Sequence, residues 1–78
     1  MTAAEIDYRT RFLAVWRQNL GIPEVAARLR QKFARLTTAE RRTAIECRFS
    51  TAGTDALSPK VREDLVDDVL AMLEQTIR

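Results

Sequence analysis

The chain has 78 residues, 46% of them hydrophobic and 31% charged, with 13 Lys and Arg against 11 Asp and Glu for a net charge of +2. That is room for one domain, 1–78, but at this size folding removes only about 60% of the chain's surface from water, and the composition is too apolar for a disordered chain. The sequence has no histidine and a single cysteine, Cys47, which excludes an internal disulfide framework, a multi-thiolate metal site and the usual base for a nucleophilic serine or cysteine.

Thr2-Ala3-Ala4-Glu5 opens the chain as a capping box, in which the threonine oxygen takes the third amide and the glutamate reaches back to the cap amide. A helix is expected over 3–20, stopped by Gly21 in the left-handed conformation, Ile22 as the apolar contact of a Schellman ending, and Pro23. Ile6, Phe12, Leu13, Val15, Trp16 and Leu20 fall within half of its circumference, which predicts a core face.

Pro23 suits the first position of a second helix, and Glu24 suits the positive end of its dipole. Val25, Leu29, Phe33 and Leu36 recur at spacings of four, four and three, so this helix is read over 23–36, with Arg28, Arg30, Lys32 and Arg35 on its other sides. Thr37-Thr38-Ala39-Glu40 repeats the capping box and starts a third helix, 38–49, whose apolar content is thin: Ala44, Ile45, Cys47 and Phe49.

Ser50–Leu57 is a cluster of small, turn-forming residues around Gly53 and reads as a loop. Ser58-Pro59 is an N-cap followed by a first-turn proline, and the last helix runs over 59–77. Val61, Leu65, Val66, Val69, Leu70, Met72, Leu73 and Ile77 make its apolar stripe, opposite Glu63, Asp64, Asp67, Asp68 and Glu74. The predicted class is all-α, a bundle of four helices with mostly antiparallel neighbours.

Charge is unevenly spread. From Arg9 to Arg48 ten basic residues face three acidic ones for +7, whereas Phe49 to Arg78 carries three basic and six acidic residues for −3. No apolar run approaches the roughly 18 residues that span a bilayer. Met1–Tyr8 holds Glu5 and Asp7 in place of a secretion signal's basic leader and apolar segment. Together with the sparse cysteine, this points to a cytoplasmic protein without a membrane partner.

The carboxylates Glu63, Asp64, Asp67 and Asp68 lie at helical spacings, but on the side away from the apolar stripe, where water surrounds them and neither metal binding nor acid-base work is expected. Cys47 reads as a small buried apolar residue without a base to activate it. Gly53-Thr54-Asp55-Ala56-Leu57 resembles the G-x-D-S-L stretch on which acyl carrier proteins attach phosphopantetheine, yet Ala56 replaces the serine and leaves no hydroxyl to modify. Val25–Leu29 resembles the first helix of a helix-turn-helix, but the glycine-containing tight turn is missing where Arg30–Arg35 continues the pattern. No catalytic, cofactor-binding or metal-binding residue is assigned.

What the sequence offers is contact surface. Arg28, Lys32 and Arg35 share one side of the second helix, and Arg41, Arg42 and Arg48 follow on the third. The first helix is rich in aromatic residues, with Trp16 its largest, and more apolar surface is present than so small a core can hide. The surplus points to an interface, with a second copy in a homodimer or with another protein. The function expected is therefore a non-enzymatic protein-protein interaction module, a regulator, adaptor or inhibitor, contacting its partner through Arg28, Lys32, Arg35, Arg41, Arg42 and Trp16. The alternative is a nucleic-acid-binding regulator using the basic segment 28–48, or internal pairing of that segment with the acidic last helix.

Overall fold

A computed structural model describes residues 1–51 and 57–78. Among them are four helices and no strand: α1 (Ala3–Leu20), α2 (Pro23–Phe33), α3 (Thr38–Thr51) and α4 (Pro59–Ile77). The all-α bundle expected from periodicity is what the chain forms. The helix α4 is its centre, packing against each of the other three, while α1 also touches α2.

The core follows from the α4 stripe. Val61, Leu65, Val66, Val69, Leu70 and Leu73 are buried, and they meet Leu29 and Phe33 of α2, Ile45 and Phe49 of α3, and Leu57. Leu65, Val69 and Leu73 are completely shielded, and burial of each such side chain is worth about 1.5–3 kcal/mol. The carboxylates of α4 flank this stripe and reach sideways to its neighbours. Asp68 accepts from Arg9 of α1, Asp67 pairs with Arg42 of α3, and Glu74 takes Arg41 and the Thr38 hydroxyl. From α2, Arg30 donates to the Thr76 carbonyl, one of those left open at the end of α4.

Both capping boxes form. At α1 the Glu5 amide donates to Thr2 Oγ1 and the Thr2 amide to Glu5 Oε1 (3.1 and 3.0 Å). At α3 the same exchange joins Thr37 and Glu40 (3.2 and 3.0 Å). The chain must leave the helical conformation to make the second box, so α2 ends at Phe33 and does not reach residue 36. The Leu36 amide tightens the turn by donating to the Phe33 carbonyl, and Arg41 Nε donates to that same oxygen. In the other direction α3 outruns its expected end at residue 49 and continues through Ser50, which was expected to begin the loop, to Thr51. The rest of that loop, residues 52–56, and with it the Gly53–Leu57 resemblance, lies outside the described residues apart from Leu57.

Three further expectations are corrected. Gly21 is right-handed (φ −76°, ψ −11°), and the end of α1 closes through its amide to the Arg17 and Gln18 carbonyls, with no left-handed glycine required. The Ser58 side chain does not cap α4; instead the Ser58 amide donates to Glu5 Oε2 (3.1 Å), tying the start of α4 to the start of α1. Most consequential, the predicted core face of α1 holds no buried residue. Tyr8, Phe12, Leu13, Trp16 and Leu20 pack against the core but stay half-buried, while Ile6 and Val15 are 52% and 54% exposed. The reason is placement: α1 lies on the outside of α2 and α4, so it covers core made by other helices and has nothing outside it. Its firmest contact is aromatic, the Phe12 ring meeting Phe49 edge-on at 4.9 Å with Tyr8 stacked behind at 5.9 Å.

Candidate functional site

The six residues singled out as partner-binding divide into two groups. Arg41 and Arg42 are taken up by the fold. The Arg41 side chain is only 14% exposed and spans two elements, with Nε on the Phe33 carbonyl and a terminal nitrogen on Glu74 Oε2, both at 3.0 Å. Arg42 pairs with Asp67 across the helix interface and with Glu46 one turn along α3 (3.3 Å). The hydrogen bond to Asp67 holds the Arg42 guanidinium above the usual arginine range. These two arginines add ion pairs to the apolar packing of α3 on α4, so the basic segment is partly neutralised by the acidic helix.

Arg28, Lys32 and Arg35 stay on the outside of α2 and the turn that follows it, and all three are exposed. No ion pair reaches any of them among the described residues. Lys32 Nζ lies 5.4 Å from the centre of the Phe33 ring, a contact compatible with continued hydration. The same sequence run thus supplies fastening arginines on α3 and unfastened cations on α2 and the turn after it.

Trp16 brings one of these cations, Arg28, together with apolar surface. It lines a cleft of about 340 Å³ with Asn19 of α1, Val25, Arg28 and Leu29 of α2, and Arg48 of α3. On the same helix it borders a second depression, about 470 Å³, alongside Tyr8, Phe12 and Val15. The indole is half-buried and makes no hydrogen bond among the described residues, so its N–H is a donor in reserve. Val15 beside it and Ile22 at the α1–α2 turn are large apolar residues left 54% and 45% exposed. Sequence reasoning placed Val15 in the core and did not connect Val25 or Asn19 with Trp16. Nothing short of the position of α2 against α1 would have joined them.

The other candidates fare as follows. Asp64 pairs with Lys60 (3.2 Å), which raises the Lys60 ammonium above its ordinary range, while Asp67 and Asp68 bind arginines. No group of three His, Cys, Asp or Glu residues among those described converges as metal ligands would. Cys47 is exposed, against the expectation of burial. Ile45 and Phe49 set the inward side of α3, and a residue two beyond Ile45 is about 200° round the helix, on the far side. Among the described residues, no helix is long and apolar enough to cross a membrane.

Compared with protein-family models, curated proteins and solved structures, the chain matches none.

Proposed function

We propose that this chain is a non-enzymatic interaction module, a small regulator, adaptor or inhibitor, that binds another protein through the Trp16 cleft and the unpaired cations of α2. The observation that carries the reading is the meeting, in one cleft, of a half-buried tryptophan with a spare N–H and Arg28, which has no carboxylate partner among the described residues. Tryptophan and arginine are the side chains most enriched among the residues that dominate binding energy, because each combines large contact area with directed polar groups. The helix that presents Trp16 has no buried residue of its own, so a partner lying against α1 would bury apolar surface that the fold leaves wet. The cytoplasm is the compartment this reading implies, as a reducing medium keeps a lone exposed thiol such as Cys47 free.

Nucleic-acid binding through 28–48 is the second reading. The cations Arg28, Lys32 and Arg35 favour it. Arg41 and Arg42 count against it, since near the start of α3 both are engaged with carboxylates of α4. A phosphate-binding surface also shows a steep loss of affinity with salt.

Affinity purification with the full chain as bait, beside Trp16→Ala and an Arg28→Glu/Arg35→Glu variant, tests the proposal. The expected result is a protein retained by the wild type, lost with either variant, and insensitive to nuclease. Equal recovery of every prey by all three baits would overturn it.

A further inference from the structure

We infer that the occupant of the Trp16 cleft is an acidic amphipathic helix of the partner, its apolar side on Val15 and Trp16 and its carboxylates on Arg28, Lys32 and Arg35. This rests on the protein-binding reading above and adds the chemistry of the partner.

Charge complementarity carries the argument. The carboxylates of α4 are directed at α1 and α3, where they pair with Arg9, Arg41 and Arg42. None reaches the outer side of α2, and Glu24, one turn before Arg28, forms no ion pair with it. Arg28 and Lys32 therefore stand one turn apart as uncompensated like charges, an arrangement that mildly opposes helix formation and that an anionic ligand relieves. Within α2, Arg28 and Lys32 also stand four residues apart, about 6 Å along the helix, with Arg35 in the turn that follows. Asp or Glu at the same spacing on a second helix present carboxylates at matching intervals, next to an apolar stripe that meets Val15 and the indole. A second copy of this chain fits less well, because Asp64, Asp67 and Asp68 of its acidic helix already have partners within the chain. Nucleic acid supplies the charge but no apolar stripe for Val15.

The test is selection from a random displayed-peptide library of about 16 residues, enough for roughly four helical turns, on the immobilised full chain. Selected peptides are then titrated by the emission of Trp16, the chain's single tryptophan. The expected winners carry Asp or Glu at i, i+3 or i+4 beside large apolar residues, and shift the emission to the blue. They should bind Arg28→Glu/Arg35→Glu at least about tenfold more weakly, as loss of close charge pairs across an interface does. That variant changes exposed side chains only, and its unchanged thermal melt shows that folding is not the cause. Peptides that need Trp16 but show no acidic excess, or that bind the charge-reversed variant equally, overturn this inference and leave the protein-binding reading standing. If Trp16→Ala, checked for its helical signal, selects the same peptides as the wild type, that reading falls as well. A wild-type dimer in sedimentation that Trp16→Ala dissolves, or salt-steep quenching of Trp16 by an oligonucleotide, would also overturn the inference by naming another occupant.

Discussion

Arg41→Ala separates scaffold from surface. The wild-type side chain is 14% exposed and donates to two acceptors, the Phe33 carbonyl that ends α2 and the Glu74 carboxylate on α4. Truncation removes both bonds. A bond to a neutral carbonyl contributes about 0.5–1.5 kcal/mol and one to a charged group about 1.5–3. Glu74 is 28% exposed and keeps the Thr38 hydroxyl, so its charge is not stranded and the total should settle near 2–3 kcal/mol. For a domain of this size each kcal/mol moves the melting temperature by about 4–8 °C. The variant should thus melt roughly 8–24 °C below wild type, a large share of the approximately 4–12 kcal/mol available to 78 residues. Circular dichroism in heat and in urea measures it, with Arg28→Ala as the comparison, expected within about 0.5 kcal/mol of wild type. A cycle with Glu74→Gln should give a coupling of about 1 kcal/mol. An Arg41→Ala melt indistinguishable from wild type, or an Arg28→Ala loss as large, would refute the division of the basic residues drawn above.

Three further outcomes follow from the same geometry. Glu5 accepts from the Thr2 and Ser58 amides, which lower its carboxyl from 4.5 to about 2; the folded value is depressed, so the stabilisation is complete above pH 4.5 and lost as pH falls toward 2. The gap in melting temperature between wild type and Glu5→Gln should accordingly be full near neutrality and close on acidification, and a gap independent of pH would contradict it. Cys47 should react with a thiol reagent as fast in the native protein as in urea, since it is exposed; protection until unfolding would show it buried. Gly21→Ala should change stability by less than about 1 kcal/mol, because φ −76° suits any residue and the gain from a stiffer unfolded chain is offset by a tight contact, 3.3 Å, between the added Cβ and the Gln18 carbonyl. A left-handed glycine would cost about 1–2 kcal/mol on substitution.

Features that depend on a few consecutive residues were legible in the sequence, and features that depend on what lies outside a helix were not. The capping boxes at Thr2 and Thr37 and the prolines at 23 and 59 set the helix starts, because each works through its own first turn. The α4 stripe set the core for a related reason: a helix touching three neighbours buries whatever apolar face it has. The same periodicity failed for α1. Its apolar residues recur at helical spacing as those of α4 do, but it sits on the periphery, so a comparable pattern produces burial in one helix and half-exposure in the other. Cys47 was misread despite a local signal, since Ile45 and Phe49 together already fix the inward side of α3.

The basic run shows most clearly what a sequence leaves undetermined. Arg28, Lys32, Arg35, Arg41 and Arg42 are all cations in a linear reading, and their helical spacings say only which of them share a side. Whether each is spent on the fold depends on carboxylates about 25 to 40 positions further along the chain, brought alongside by packing of apolar stripes that contain no charge. Once α4 lies between α1 and α3, Asp67, Asp68 and Glu74 face those helices and take Arg42, Arg9 and Arg41. The outer side of α2, turned away from that acidic helix, keeps its cations, and Trp16 reaches one of them, Arg28, because α1 packs on α2. The uneven charge along the sequence is therefore converted into an uneven surface: neutral where α3 meets α4, and positive beside an apolar cleft where α1 meets α2.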